Sequence, residues 1–149
     1  MLRGLSTVSF WADDVAAARQ WYAELLGIEA YFNVPNSDGS PGYSEFRIGD
    51  YQHELGLIDR RYATLDAPAT RPAGAIVYWH VDDLTAALER LLAMGATQLD
   101  APTKRGEGFV TASVIDPFGN VLGIMYNQHY LDMLAATQNP DSHHDSEHS

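Results

Sequence analysis

Apolar and polar positions alternate from Thr7 to Trp11, and after Asp13-Asp14 the spacing becomes helical from Val15 to Leu26, ending at Gly27. A change of period from 2 to 3.6 predicts a strand followed by a helix. The succession recurs: alternation over Ile76 to Val81, then Asp82-Asp83, then a helical pattern from Leu84 to Met94 closed by Gly95. Ser9 to Val15 matches Tyr78 to Leu84 at an offset of 69 residues, the closing glycines match at 68, and Leu55-Gly56-Leu57-Ile58 matches Leu122-Gly123-Ile124-Met125 at 67. The chain is therefore read as an internal duplication. The aspartate pairs are expected at the N-cap and first turn, where they accept orphan amide hydrogens, and the glycines as left-handed C-caps.

Each half reads strand, helix, then short strands, with a Pro- and Ala-rich break between them. The expected division is a first module over 1–60, a linker over 61–74, a second module over 75–128, and an extension with a disordered tail over 129–149. A strand whose following helix returns to the same sheet implies one helical layer on a curved mixed sheet, an α+β arrangement, with the other sheet face lining a cavity.

Alternation sorts the two faces. Val8, Phe10, Leu55, Leu57, Val77, Trp79, Val81, Leu122, Ile124 and Tyr126 are assigned to the helix-packed core. Thr7, Ser9, Trp11, Glu54, Gly56, Ile58, Ile76, Tyr78, His80, Val121, Gly123 and Met125 fall on the opposite face, whose mixture of aromatic, small and isolated polar residues suits a small-molecule pocket.

The 149 residues carry 20 acidic against 9 basic side chains, a net charge of −11. That balance argues against nucleic acid, which requires a basic face. The chain has no cysteine, which removes disulfides, thiolate nucleophiles and Cys-ligated zinc. No apolar window approaches the ~20 residues of a membrane span, and no signal-type stretch precedes Thr7; a cytoplasmic protein without membrane partner is expected. Asn139 onward is polar, and its His143, His144 and His148 are read as able to bind nickel or zinc adventitiously.

The segments DDVAAARQWYAELLGIEAYF, HELGLID, GAIVYWHVDDLTAALERLLAMGA and IDPFGNVLGIMYN together resemble the vicinal oxygen chelate superfamily of glyoxalases, bleomycin resistance proteins and extradiol dioxygenases, over about residues 5 to 127. The resemblance implies two tandem βαβββ modules forming a curved, partly open mixed β-barrel with outer helices, usually assembled as a homodimer. Metal-dependent members hold a divalent ion on inward-facing His, Glu or Gln. Carried over by register, those slots fall on Thr7, Gly56, Ile76 and Gly123, none of which is a usual ligand, and the neighbouring positions are no better. No metal and no cofactor are therefore expected.

The resulting expectation is a metal-independent protein that binds a hydrophobic or aromatic small molecule through Thr7, Ser9, Trp11, Glu54, Ile58, Tyr78, His80, Phe109 and Met125, possible antibiotic capture included, rather than an enzyme. The alternative is a lyase, isomerase or dioxygenase of the same superfamily, using Glu54 or His80 as acid/base or a displaced metal site. Glu54 reads either as a pocket carboxylate or as a solvated rim group, His80 either as a pocket acid/base or as a hydrogen-bonded structural histidine, and His53 as structural or surface. Two loops, 33–43 and 101–109, are expected to cover the pocket, the second offering Lys104 and Arg105 to an anion or to solvent. Asp116-Pro117-Phe118-Gly119-Asn120 is read as a turn between the last two strands, and Trp21 and Tyr22 as structural.

Overall fold

A computed structural model describes residues 3, 5–63 and 76–139. The first repeat comprises β1 (Thr7–Ala12), α1 (Val15–Leu26), β2 (Phe32–Pro35), β3 (Pro41–Ile48) and β4 (His53–Asp59). The second comprises β5 (Val77–His80), α2 (Leu84–Ala93), β6 (Thr97–Gly106), β7 (Phe109–Ile115) and β8 (Val121–Asn127), and is followed by α3 (Gln128–Gln138). The two four-stranded sheets run β1-β4-β3-β2 and β5-β8-β7-β6. In each, the first and last strands pair in parallel and the others antiparallel. The fold is α+β, as expected, with the sheets curved and not closed into a barrel.

The helices begin where a side-chain oxygen can satisfy an orphan amide. Asp14 accepts from the Ala17 amide and Asp83 from the Ala86 amide, each at 3.0 Å. The first member of each aspartate pair lies before the cap, not in the first turn. Asp13 instead binds the Arg60 guanidinium at 2.9 Å and Asp82 faces His80 at 3.2 Å. Gly27, at φ +68°, closes α1 as expected, whereas α2 ends at Ala93 with Met94 as its cap and Gly95 in the left-handed region just beyond.

The loops expected over the pocket are hairpins. Only 36–40 turns between β2 and β3, locked by buried Asn36, whose amide donates to Ser40 and to Asp59. In the second repeat β6 runs on to Gly106 because its edge pairs with β7, leaving a tight turn at Glu107-Gly108. The helix α3 stands where the sequence reading placed only an extension. The linker beyond Ala63 and the tail histidines lie outside the described residues.

Helix α1 packs on β3 and β4, and α2 on β6, β7 and β8. Phe10, Tyr22, Phe46, Leu55 and Leu57 join Leu88, Leu91, Val114, Leu122 and Ile124 in one continuous core. Each such side chain contributes about 1.5–3 kcal/mol by leaving water. Polar groups close the seam between repeats at one end. The Tyr22 hydroxyl donates to Asp116 at 2.5 Å, and Asn120 clasps the Trp11 backbone through both its N–H and its C=O at 2.9 Å. The helices also meet directly: the Trp21 indole donates to the Met94 carbonyl at 2.8 Å and Arg90 to the Glu24 carbonyl at 3.0 Å.

Candidate functional site

Strand register sets Thr7, Ser9 and Trp11 beside Glu54, Gly56 and Ile58, and these beside Arg47, Glu45 and Tyr43 of β3. The set opposes the helix-packed face, so it forms the concave side of the first sheet. Glu54 accepts from the Thr7 hydroxyl at 2.7 Å and pairs with Arg47 at 3.4 Å, while the Arg47 guanidinium lies 4.7 Å from the centre of the Tyr31 ring. Glu45 accepts from Tyr43 at 2.6 Å and from Tyr31. Partial desolvation, and then the charge of Glu54, raise both the Glu45 carboxyl and the Tyr43 phenol above their usual ranges; Arg47 partly opposes this at Glu45. Glu54 is thus a bonded, half-buried carboxylate rather than a freely solvated rim group.

On the second sheet Tyr78 and His80 lie beside Gly123 and Met125, with Ser113 and Thr111 of β7 in the same rows. Ser113 donates to Asp100 at 2.7 Å, and Arg105 donates to Thr111 at 3.1 Å. Lys104 pairs with Glu107 at 3.3 Å in the exposed hairpin. The His80 side chain is 7% exposed. Its Nδ1 accepts the Asn127 amide hydrogen at 3.2 Å, which leaves Nε2 to carry the proton toward Asp82. Tyr130 of α3 stacks on the imidazole at 4.7 Å and 10°, and donates its hydroxyl to Asp50 at 2.9 Å. Desolvation, reinforced by Asp50, pushes the Tyr130 phenol up to about 12.

The metal slots carried over by resemblance can now be tested against geometry. A Cβ built on Gly56 would stand 2.6 Å from the Tyr43 hydroxyl, and one on Gly123 would stand 2.6 Å from Tyr78 Cδ1. Tyrosine rings thus occupy the space into which a ligating side chain at either position would extend. Thr7 is engaged by Glu54, and Ile76 offers only hydrocarbon. The residues present do not fit the superfamily's metal, and among the described residues no three His, Asp or Glu side chains are grouped as a ligand set.

Between the edges of β1 and β5 lies a cavity of about 370 Å³. Four residues expected to bind ligand, Glu54, Tyr78, His80 and Met125, line it. Thr7, Ser9, Trp11 and Ile58 share the concave face of the first sheet but lie outside this lining, and Phe109, at the start of β7, pairs across to Asn127. His53 lies at the cavity too, although alternation turns it to the helix side. The sequence reading did not include Asp50 or Tyr130. Both depend on where α3 docks, and no spacing along the chain signals that contact.

Among solved structures the chain is similar to a glyoxalase-related enzyme from Fulvimarina pelagi, with 19% identity over 85% of this chain and 90% of that one and a TM-score of 0.65. It is also similar to TnmS3, an antibiotic binding protein from Streptomyces sp. CB03234, with 23% identity, 83% and 94% coverage and a TM-score of 0.61. A third likeness is to a variant of FosX, a fosfomycin resistance protein from Listeria monocytogenes complexed with Mn(II) and 1S,2S-dihydroxypropylphosphonic acid, with 15% identity, 85% and 92% coverage and a TM-score of 0.64. At these identities the likeness is one of fold. No curated protein matches the chain. The family model for the glyoxalase/bleomycin resistance protein/dioxygenase superfamily matches residues 4–124, and with the duplicated sheets and their register it shows that the chain belongs to that superfamily.

Proposed function

We propose that this protein captures a hydrophobic or aromatic small molecule on its concave sheet faces, without the superfamily's metal, and works as a homodimer in which the partner covers the faces that one chain leaves open. The observation that carries this reading is the pair of tyrosine rings over Gly56 and Gly123. Where a ligand-bearing side chain would have to stand, each sheet presents an aromatic surface, and aromatic faces with a few convergent polar groups suit capture of a planar molecule. Thr7, Ser9, Trp11, Ile58, Tyr78, Phe109 and Met125 supply contact area, and Glu54 and His80 supply polar orientation. Binding of an antibiotic by a protein of the same fold is consistent with this use of the scaffold.

Native mass spectrometry tests the reading on the full chain with His143, His144 and His148 replaced by alanine, so that the tail cannot hold a metal. A dimer free of divalent ion, with or without a co-purified small molecule, is the expected result. One stoichiometric divalent ion per chain would overturn it.

The superfamily's lyase, isomerase or dioxygenase chemistry is the second reading, favoured by one observation: Glu54 and His80 line the same cavity. Turnover of any bound compound that is lost in both Glu54→Gln and His80→Asn would establish it.

A further inference from the structure

The two ends of the seam between the repeats ought to match if duplication alone shaped them, and they do not. The offset of 67 residues that relates Gly56 to Gly123 makes His53 the counterpart of Asn120, and Gly49 that of Asp116. The offset of 69 in the strand-helix segment makes His80 the counterpart of Trp11, and Leu91 that of Tyr22. At one end Asn120 clasps the Trp11 backbone, and Asp116 holds both Asn120 and the Tyr22 hydroxyl. At the other end each polar member of that clasp is replaced: Gly49 has no side chain, Leu91 has no hydroxyl, and His53 is exposed. The seam there stands open as the cavity of about 370 Å³.

We propose that this opening is a binding site that shares Glu54, Tyr78, His80 and Met125 with the concave faces and extends beyond them into the seam, for a compact, non-anionic aromatic or alicyclic molecule of one or two rings. Its depth comes from Val8, Ile48, Val77 and Trp79, which alternation directs away from the concave faces, together with Leu26 of α1. Protein interiors tolerate few voids larger than a water molecule, whereas small-molecule sites span ~300–1,000 Å³. A cavity of this size and lining is therefore a site rather than a packing fault. Apolar walls with carboxylates at Asp50 and Glu54 exclude an anion, which would lose its hydration without a partner. The carboxylates of Asp50 and Glu54 at the lining are suited to receive one hydrogen-bond donor of the ligand.

At the place in the first repeat that corresponds to α3, the described residues hold only a short 3-10 turn, Arg60–Tyr62. Helix α3 sets Tyr130 into the lining, flat on His80 and bonded to Asp50, while the Asn127 amide that opens the helix donates to the same imidazole. The helix therefore lies over the end of the seam that lacks the clasp.

The test is a fluorescence titration of the full chain with 1-aminonaphthalene, a neutral two-ring fluorophore with one amino donor whose emission shifts to the blue in apolar surroundings. A saturable phase of one probe per chain that responds to seam filling is expected. Val77→Phe and Ile48→Phe, which fill the seam, should each weaken it by at least ~10-fold, about 1.4 kcal/mol, while Ser9→Phe on the concave face should change it by less than ~2-fold. Two filling variants are used so that one cooperatively melting variant suffices. Absence of saturable binding overturns the proposal. So does probe affinity that falls in Ser9→Phe and survives seam filling, a pattern that would leave the concave-face reading standing.

Discussion

Replacing Gly123 by alanine probes the claim that a tyrosine ring fills the slot of the missing ligand. The added Cβ would lie 2.6 Å from Tyr78 Cδ1 and 2.9 Å from both Cγ and Cε1, where carbon pairs rest at about 3.5–4.0 Å. Cγ is the root of the ring, so the clash cannot be relieved by turning the ring about its own axis; Tyr78 must leave its rotamer or the strands must part. Overpacking of this kind costs about 1–3 kcal/mol, and the conformational gain from removing a strand glycine returns about 0.5–1 kcal/mol. A net loss of about 0–2.5 kcal/mol is expected. Gly56→Ala meets the far end of the Tyr43 ring, at its hydroxyl 2.6 Å away and Cζ 3.0 Å away, which can swing aside, so the loss there should be smaller. Urea unfolding of Gly123→Ala, Tyr78→Leu and the double variant measures the coupling directly. Absence of coupling between the two substitutions, with any alanine penalty persisting beside Tyr78→Leu, would refute the assignment of the slot to the ring.

Three further outcomes follow from the seam. Tyr22→Phe removes the 2.5 Å bond to Asp116 but leaves Asn120 on the same oxygen, so it should cost about 1–2 kcal/mol and lower Tm by roughly 2–8 °C in a thermal melt. Asn120→Ala strips the bonds to both backbone groups of Trp11 and should cost more, about 2–4 kcal/mol, in the same assay. The Tyr130 phenol, raised to about 12 by burial and Asp50, favours the neutral form in the folded protein over its unfolded range near ~10. Its contribution is complete below pH ~10 and lost as pH rises from ~10 to ~12. Denaturation midpoints of the parent and of Tyr130→Phe should therefore draw apart below that window and converge through it; parallel curves would contradict the assignment.

Sequence patterning alone carried the duplication, both cap aspartates and the sorting of faces. These depend on interactions within a few residues or on the strict two-residue alternation of strands, which a linear reading captures. It also turned Glu54, Tyr78, His80 and Met125, which line the cavity, to one sheet face, because alternation shows which way each points. It misjudged the loops. Proline and glycine signal a turn, but pairing across a hairpin decides how far the strands run, as the length of β6 illustrates.

What the chain could not disclose is how its two halves meet. The clasp of Asn120 on Trp11 spans 109 positions, and the Tyr130 bond to Asp50 spans 80. Such contacts arise from packing two rigid sheets along one seam, where a few side chains decide which end closes and which stays open. The residues at the superfamily's metal slots were legible in the sequence. That Tyr43 and Tyr78 fill the space beside two of them was decided by the tertiary structure, because a glycine shows only that no side chain is present and not what lies against it.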